Sequence, residues 1–231
     1  MKSSSEPLHE QPRSPHNRER SLTALVVLAA IELFVMAPLA GTISVPIVLQ
    51  GTVIVAIVIA VLSVVWASRT AVIAVLVAVT LELLASALRI AEPSRQTEVL
   101  DFTAALILFS ALTVVLGIAV FGPGRVTIHR ILGAVAIYLN VAAIFALAYR
   151  IIVGLQPAAF ASKGMDIGHH TLSTLVYFSF TTLTTSSFGD IVPVAPFARA
   201  AANLEAVIGQ LFPATLLARL IILELETRKG E

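Results

Sequence analysis

Six long, largely apolar blocks dominate this 231-residue sequence, over residues 22–40, 43–67, 71–90, 101–121, 129–154 and 196–225. Each is close to the ~20 residues a helix needs to cross a bilayer. A single open strand leaves its backbone polar groups unsatisfied in lipid, so the blocks are expected to be helices. The expected fold is therefore an all-α membrane protein with six transmembrane helices. Length alone would allow one or two soluble domains. The composition, 58% hydrophobic and 13% charged, argues against that, because soluble chains carry about a quarter charged residues.

Residues 1–20 are polar, with Pro7, Pro12 and Pro15 among four basic residues, and read as a disordered cytoplasmic tail. A cleaved leader is the competing reading of this end, but the apolar run from Leu22 to Ala40 exceeds the ~7–15 residues of a signal core. Residues 21–125 form a four-helix transmembrane region, and residues 126–231 a second unit. Lys and Arg set the orientation. Lys2, Arg13, Arg18, Arg20, Arg69, Arg125, Arg130, Arg228 and Lys229 fall on one side of a six-span chain, against Arg89, Arg95 and Lys163 on the other. Both termini are thus expected in the cytoplasm, with the segment between spans five and six outside.

That outer segment carries the informative chemistry. After a polar loop over 155–170, residues 171–184 (TLSTLVYFSFTTLT) are apolar and aromatic but too short to span. Such a stretch is expected to be a re-entrant helix, with Thr171 a candidate N-cap. Irregular backbone follows, and at membrane depth it is tolerated only where it is buried or lines a water-filled cavity.

Residues 181–193, TTLTTSSFGDIVP, resemble the pore loop of potassium channels, which runs T-T-x-T-T-V-G-Y-G-D and then a proline. Thr184, Thr185, Gly189, Asp190 and Pro193 match, and Phe188 stands for tyrosine. Arg199, Gly209 and the stretch 204–211 (LEAVIGQL) resemble the inner helix of bacterial members. The resemblance covers about residues 130–225 and not residues 1–125. It implies a pore module with pore helix 171–184, filter 185–190 and inner helix 196–225, in a homotetramer whose four loops form rings of oxygen around a permeant monovalent cation, potassium by family. The implied ion-binding residues are Thr185, Ser186, Ser187, Phe188 and Gly189, with Asp190 at the filter mouth and Gly209 and Pro213 as a gating hinge. Tyr177, Phe178 and Phe180 would form a cuff around the filter. The implied setting is the lipid bilayer of a bacterial plasma membrane, with no cofactor beyond the ion.

Ser186 and Ser187 depart from the family pattern, replacing its valine and first glycine. A side chain held at a left-handed position 187 costs about 1–2 kcal/mol per subunit. The expectation is a filter with reduced discrimination between potassium and sodium. A non-conducting scaffold or channel subunit is the alternative, and a secondary transporter a lesser one, since transporters carry matching halves and the pore-like loop occurs once.

Other classes find little support. There is no cysteine, none of the five histidines stands in a metal-ligand pattern, and no catalytic spacing occurs, so no enzyme and no metal beyond the ion is expected. A net charge of +1 without a basic stripe gives no sign of nucleic acid. The fourth block has no Lys or Arg, so it lacks the charges a voltage sensor moves. Glu32 and Glu82 lie within apolar blocks, where a packed polar pair is the plain reading and an ion pathway the sharper one. Glu205 is expected to be structural, behind the filter. Asn140 and Gln210 read as interhelical hydrogen bonds, Arg150 and Arg199 as interfacial, and His169–His170 as an exposed loop pair.

Overall fold

The computed structural model describes residues 69–122, 127–162 and 172–229, together with residues 24, 26–31, 34, 35 and 58. Most of the first two expected spans, the N-terminal tail, Glu32, Thr171 and the His169–His170 pair lie outside the described residues.

From Arg69 onward the described chain forms five helices and one two-stranded ribbon: α1 (Arg69–Ala91), α2 (Arg95–Phe121), α3 (Ile128–Leu155), β1 (Phe160–Ser162), α4 (Leu172–Leu183), β2 (Ile191–Pro193) and α5 (Pro196–Lys229). Among the described residues four segments are long and apolar enough to cross a membrane: Arg69–Ala91, Arg95–Phe121, Arg130–Leu155 and Pro196–Arg219. Helix α4 is shorter and apolar. Large side chains on α1, including Leu76, Leu81, Leu83, Leu84 and Ile90, are exposed. In water such a surface would be a liability, whereas in lipid it is solvated.

Helix α2 begins six residues before the apolar block that announces it. The charged stretch around Arg95 and Glu98, outside the apolar blocks, is its first turn. Ser94 is the reason. Its hydroxyl accepts from Thr97 N at 3.1 Å, and Thr97 Oγ1 accepts from Ser94 N at 3.0 Å. This reciprocal pair is a capping box with threonine in the place usually held by Glu or Gln. The charges are then absorbed between helices. Arg89 pairs with Asp101 at 3.2 Å, Ser86 donates to Asp101 at 2.8 Å, and Arg150 pairs with Glu98. The guanidinium groups of Arg89 and Arg150 also lie over the Phe102 ring, at 5.9 and 5.0 Å. Glu82 sits on the same side of α1, and its Oε2 is buried without a hydrogen-bond partner among the described residues.

Deeper in the bundle, Val75 and Ala78 of α1, Leu108, Leu112, Val115 and Leu116 of α2, and Ala134 and Ile137 of α3 form a continuous core. Asn140 is the polar tie within it, donating to Phe109 O at 3.0 Å and Thr113 Oγ1 at 2.5 Å. The expected interhelical role of Asn140 is thus what is seen.

The all-α expectation needs one correction. β1 and β2 pair antiparallel, with Phe160 opposite Pro193 and Ser162 opposite Ile191. Ala159 O accepts from Val194 N at 2.8 Å and Ala195 N at 3.1 Å. The ribbon is too short to leave a periodic trace in sequence, yet it fastens the chain before α4 to the chain after it. It therefore fixes both ends of the segment that contains 184–190.

Candidate functional site

Helix α4 packs between α3 and α5, and its aromatic residues divide between two faces. Phe178 is buried with Tyr149 of α3 and Phe160 of β1, with ring centroids 5.0–5.5 Å apart in edge-on pairs. Tyr177 faces the other way and stacks on Phe188, centroids 6.4 Å apart and planes 7° from parallel. Its hydroxyl lies within electrostatic reach of Asp190. Of the three aromatic residues expected in a cuff, Tyr177 alone stacks on Phe188, Phe178 belongs to a core behind it, and Phe180 packs against the cluster of Ala143, Ala146 and Val176.

The end of α4 determines what the next residues do. Thr185 N donates to Thr182 O at 2.9 Å and Ser186 N to Thr181 O at 2.9 Å. These two bonds, from the residues at C′ and C″, define a Schellman cap, whose C′ position calls for a left-handed backbone and usually holds glycine. Here it holds Thr185, with φ 56°, the one non-glycine residue among those described with positive φ. A β-branched side chain in that conformation is a backbone outlier, of a kind that persists only where surrounding structure over-determines it. Gly189, with φ 71°, is the other turn. Position 187 is not left-handed, which revises the expected location of strain. The cost of missing glycine falls on Thr185, where the helix ends, and not on Ser187.

Ser187 N also turns back to Thr181 O, at 3.1 Å. The N–H groups of 185–187 are therefore consumed by the last turn of α4. The carbonyl oxygens of Thr185, Ser186, Ser187 and Phe188 accept no hydrogen bond from the described residues. These four residues are exposed, Phe188 at 73%. Exposed hydroxyls join them: Thr184 Oγ1 and Ser186 Oγ lie 3.0 Å apart. The result is a run of unpaired oxygen acceptors at the negative end of a helix dipole.

Neighbouring helices hold this run in place. Tyr138 of α3 donates to Leu183 O at 3.2 Å, and Gln210 of α5 donates through Nε2 to Thr185 Oγ1 at 3.0 Å. Arg199 at the start of α5 donates to Pro193 O at 3.1 Å, and Asp190 Oδ1 accepts from Ile191 N at 3.1 Å. At Gly209 the two helices touch: a Cβ there would lie 1.9 Å from Leu183 O and 2.8 Å from its carbon. The sequence reading made Gly209 and Pro213 a hinge. In this structure α5 runs unbroken through both, and the absence of a side chain at 209 is required by the approach of α4.

Residues 134–225 match a family model described as Ion channel. The match spans most of α3, all of α4 and most of α5, and leaves α1 and α2 outside. It supports a channel, and with the apolar helices it marks an integral membrane protein. Comparison with curated proteins and with solved structures finds no match. Within the matched region the sequence pointed to Thr185, Ser186, Ser187, Phe188, Gly189 and Asp190, which follow one another in the segment after α4. It missed Tyr138 and Ser179, because a lone Tyr in a span and a Ser in an apolar helix carry no signal until the packing is known.

Proposed function

We propose that this protein is a passive, tetrameric cation channel of the potassium-channel pore type. The observation that carries the reading is the run of unpaired carbonyls from Thr185 to Phe188, presented at the C-terminus of α4 in a region that matches an ion-channel family. Replacing the hydration shell of a monovalent cation takes rings of such oxygens. One chain supplies one arc, so four chains around an axis supply the rings. Phe197, Leu204, Val207 and Leu211 lie along one side of α5 and are exposed in the single chain, Phe197 at 74%. This unpartnered apolar stripe supports packing of α5 against copies of itself around the path.

In this reading α4 is re-entrant, six helices span the membrane, both termini are cytoplasmic, and Asp190 at the mouth attracts cations. Ser186 and Ser187 in place of the family's valine and glycine give a filter of reduced selectivity. The lack of Lys and Arg in α2 beyond Arg95 supports a pore not gated by voltage.

Purified protein in liposomes loaded with potassium tests this. Dissipation of a potassium gradient that also runs, more slowly, with sodium, and that is lost in Thr185→Pro, is the expected outcome. Vesicles as tight as protein-free controls in both salts, for the parent and for a variant carrying Ser186→Val and Ser187→Gly, would favour the scaffold reading.

A further inference from the structure

Behind the exposed run lies a buried polar junction that the ion path does not use. Glu205 of α5 is 0% exposed, as is Ser179 of α4, and Tyr149 of α3 is equally enclosed. Tyr149 Oη lies 2.5 Å from Glu205 Oε2. Ser179 Oγ contacts Glu205 Oε1 and lies 2.7 Å from Ala142 O on α3. No Arg, Lys or His among the described residues pairs with Glu205. The other titratable group within its electrostatic reach is Tyr138, also on α3.

Counting hydrogens decides the state of the carboxyl. Three close oxygen–oxygen contacts need three protons between them. Tyr149 supplies one and Ser179 supplies one, since a hydroxyl has a single O–H. A carboxylate supplies none and a main-chain carbonyl supplies none. With an ionised Glu205, one of the two Ser179 contacts is left as lone pair against lone pair. A protonated carboxyl satisfies all three in series: Tyr149 donates to Oε2, Oε1–H donates to Ser179, and Ser179 donates to Ala142 O. Charge argues the same way. An ionised carboxylate, out of water and without a cation, carries a desolvation cost that two neutral donors do not offset.

We propose that Glu205 carries a proton and, as a neutral acid, is the positioning residue that joins α3, α4 and α5 behind the 185–190 segment. Each of the three helices contributes one member, so the junction fixes α4 against both neighbours at Ser179, two turns before the cap at Thr185. This rests on hydrogen-bond geometry and is independent of conduction.

Infrared difference spectroscopy on the purified full-length protein at pH 7 tests it. Subtracting the Glu205→Gln spectrum from the parent is expected to leave the carbonyl stretch of a protonated carboxylic acid, shifted in deuterium oxide. The same subtraction with Glu82→Gln serves as the control for position. Unfolding midpoints give a second readout. Gln mimics the neutral acid, its amide donating to Ser179 and its carbonyl accepting from Tyr149, so Glu205→Gln is expected to hold the parent's midpoint while Glu205→Ala lowers it. A parent spectrum with no protonated-carboxyl band removed by Glu205→Gln overturns the proposal. So does a Glu205→Gln midpoint that falls as far as that of Glu205→Ala, or failure of the Gln variant to fold.

Discussion

The chemistry of the site turns on a side chain held where glycine is usual and on a glycine where no side chain fits. Thr185 occupies a left-handed helix cap, at a cost of about 1–2 kcal/mol relative to an unstrained position. It is held there by Gln210 and by the last turn of α4. Thr185→Gly is therefore expected to raise the unfolding midpoint while removing the hydroxyl that faces Gln210. Calorimetry measures the first effect, and an altered unitary conductance the second. Gly209 is the converse case. A methyl group there meets the Leu183 carbonyl, so Gly209→Ala forces α4 and α5 apart, an overpacking that typically costs about 1–3 kcal/mol. The expected result is a lower midpoint and loss of ion flux together. A variant with flux lost but stability intact would point instead to hinge motion at 209. Motif spacing drew attention to 185–190 and, as a hinge, to 209. It could not reveal that the strain sits at 185, because backbone dihedrals depend on where α4 ends.

At the scale of elements, the long helices were legible because lipid demands runs of about 20 apolar residues, and α1, α3 and α5 begin and end close to where those runs do. Helix α2 shows the limit of that signal. Its first turn is charged, and the S-x-x-T pattern at Ser94–Thr97 was the cue that hydropathy hides. Ser94→Ala is expected to lower stability by about 1 kcal/mol, the usual cost of a lost N-cap, seen as a modest fall in midpoint with flux retained. The β1–β2 ribbon was not legible, because three-residue strands inside a polar loop have no periodicity. Its register nevertheless places Ala159 O against Val194 and Ala195. The buried aromatic cluster of Tyr149, Phe160 and Phe178 explains why a loop before α4 and a turn after it stay together. Glu98 and Arg150 join α2 to α3 at the same end of the bundle.

For the whole molecule, α2 meets the region matched by the family model along α3 and, at its far end, along α5. Arg219 donates to Phe121 O at 2.6 Å and lies 5.1 Å over the Phe121 ring, which packs edge-on against Phe212. Assembly is predicted to depend on the exposed stripe of α5 instead. Replacing Leu204 and Val207 by Ser is expected to convert a tetramer to smaller species by native mass spectrometry, with Arg219→Ala leaving the tetramer intact. The central claim is that the oxygens of 185–188 form a cation path whose selectivity is lowered at Ser186 and Ser187. Single-channel recording in a planar bilayer, with potassium on one side and sodium on the other, tests it most directly. The expected result is a cation current reversing between zero and the potassium equilibrium potential, moving toward the latter when Ser186→Val and Ser187→Gly are introduced together. A current carried by anions, or no current from either protein, would contradict it.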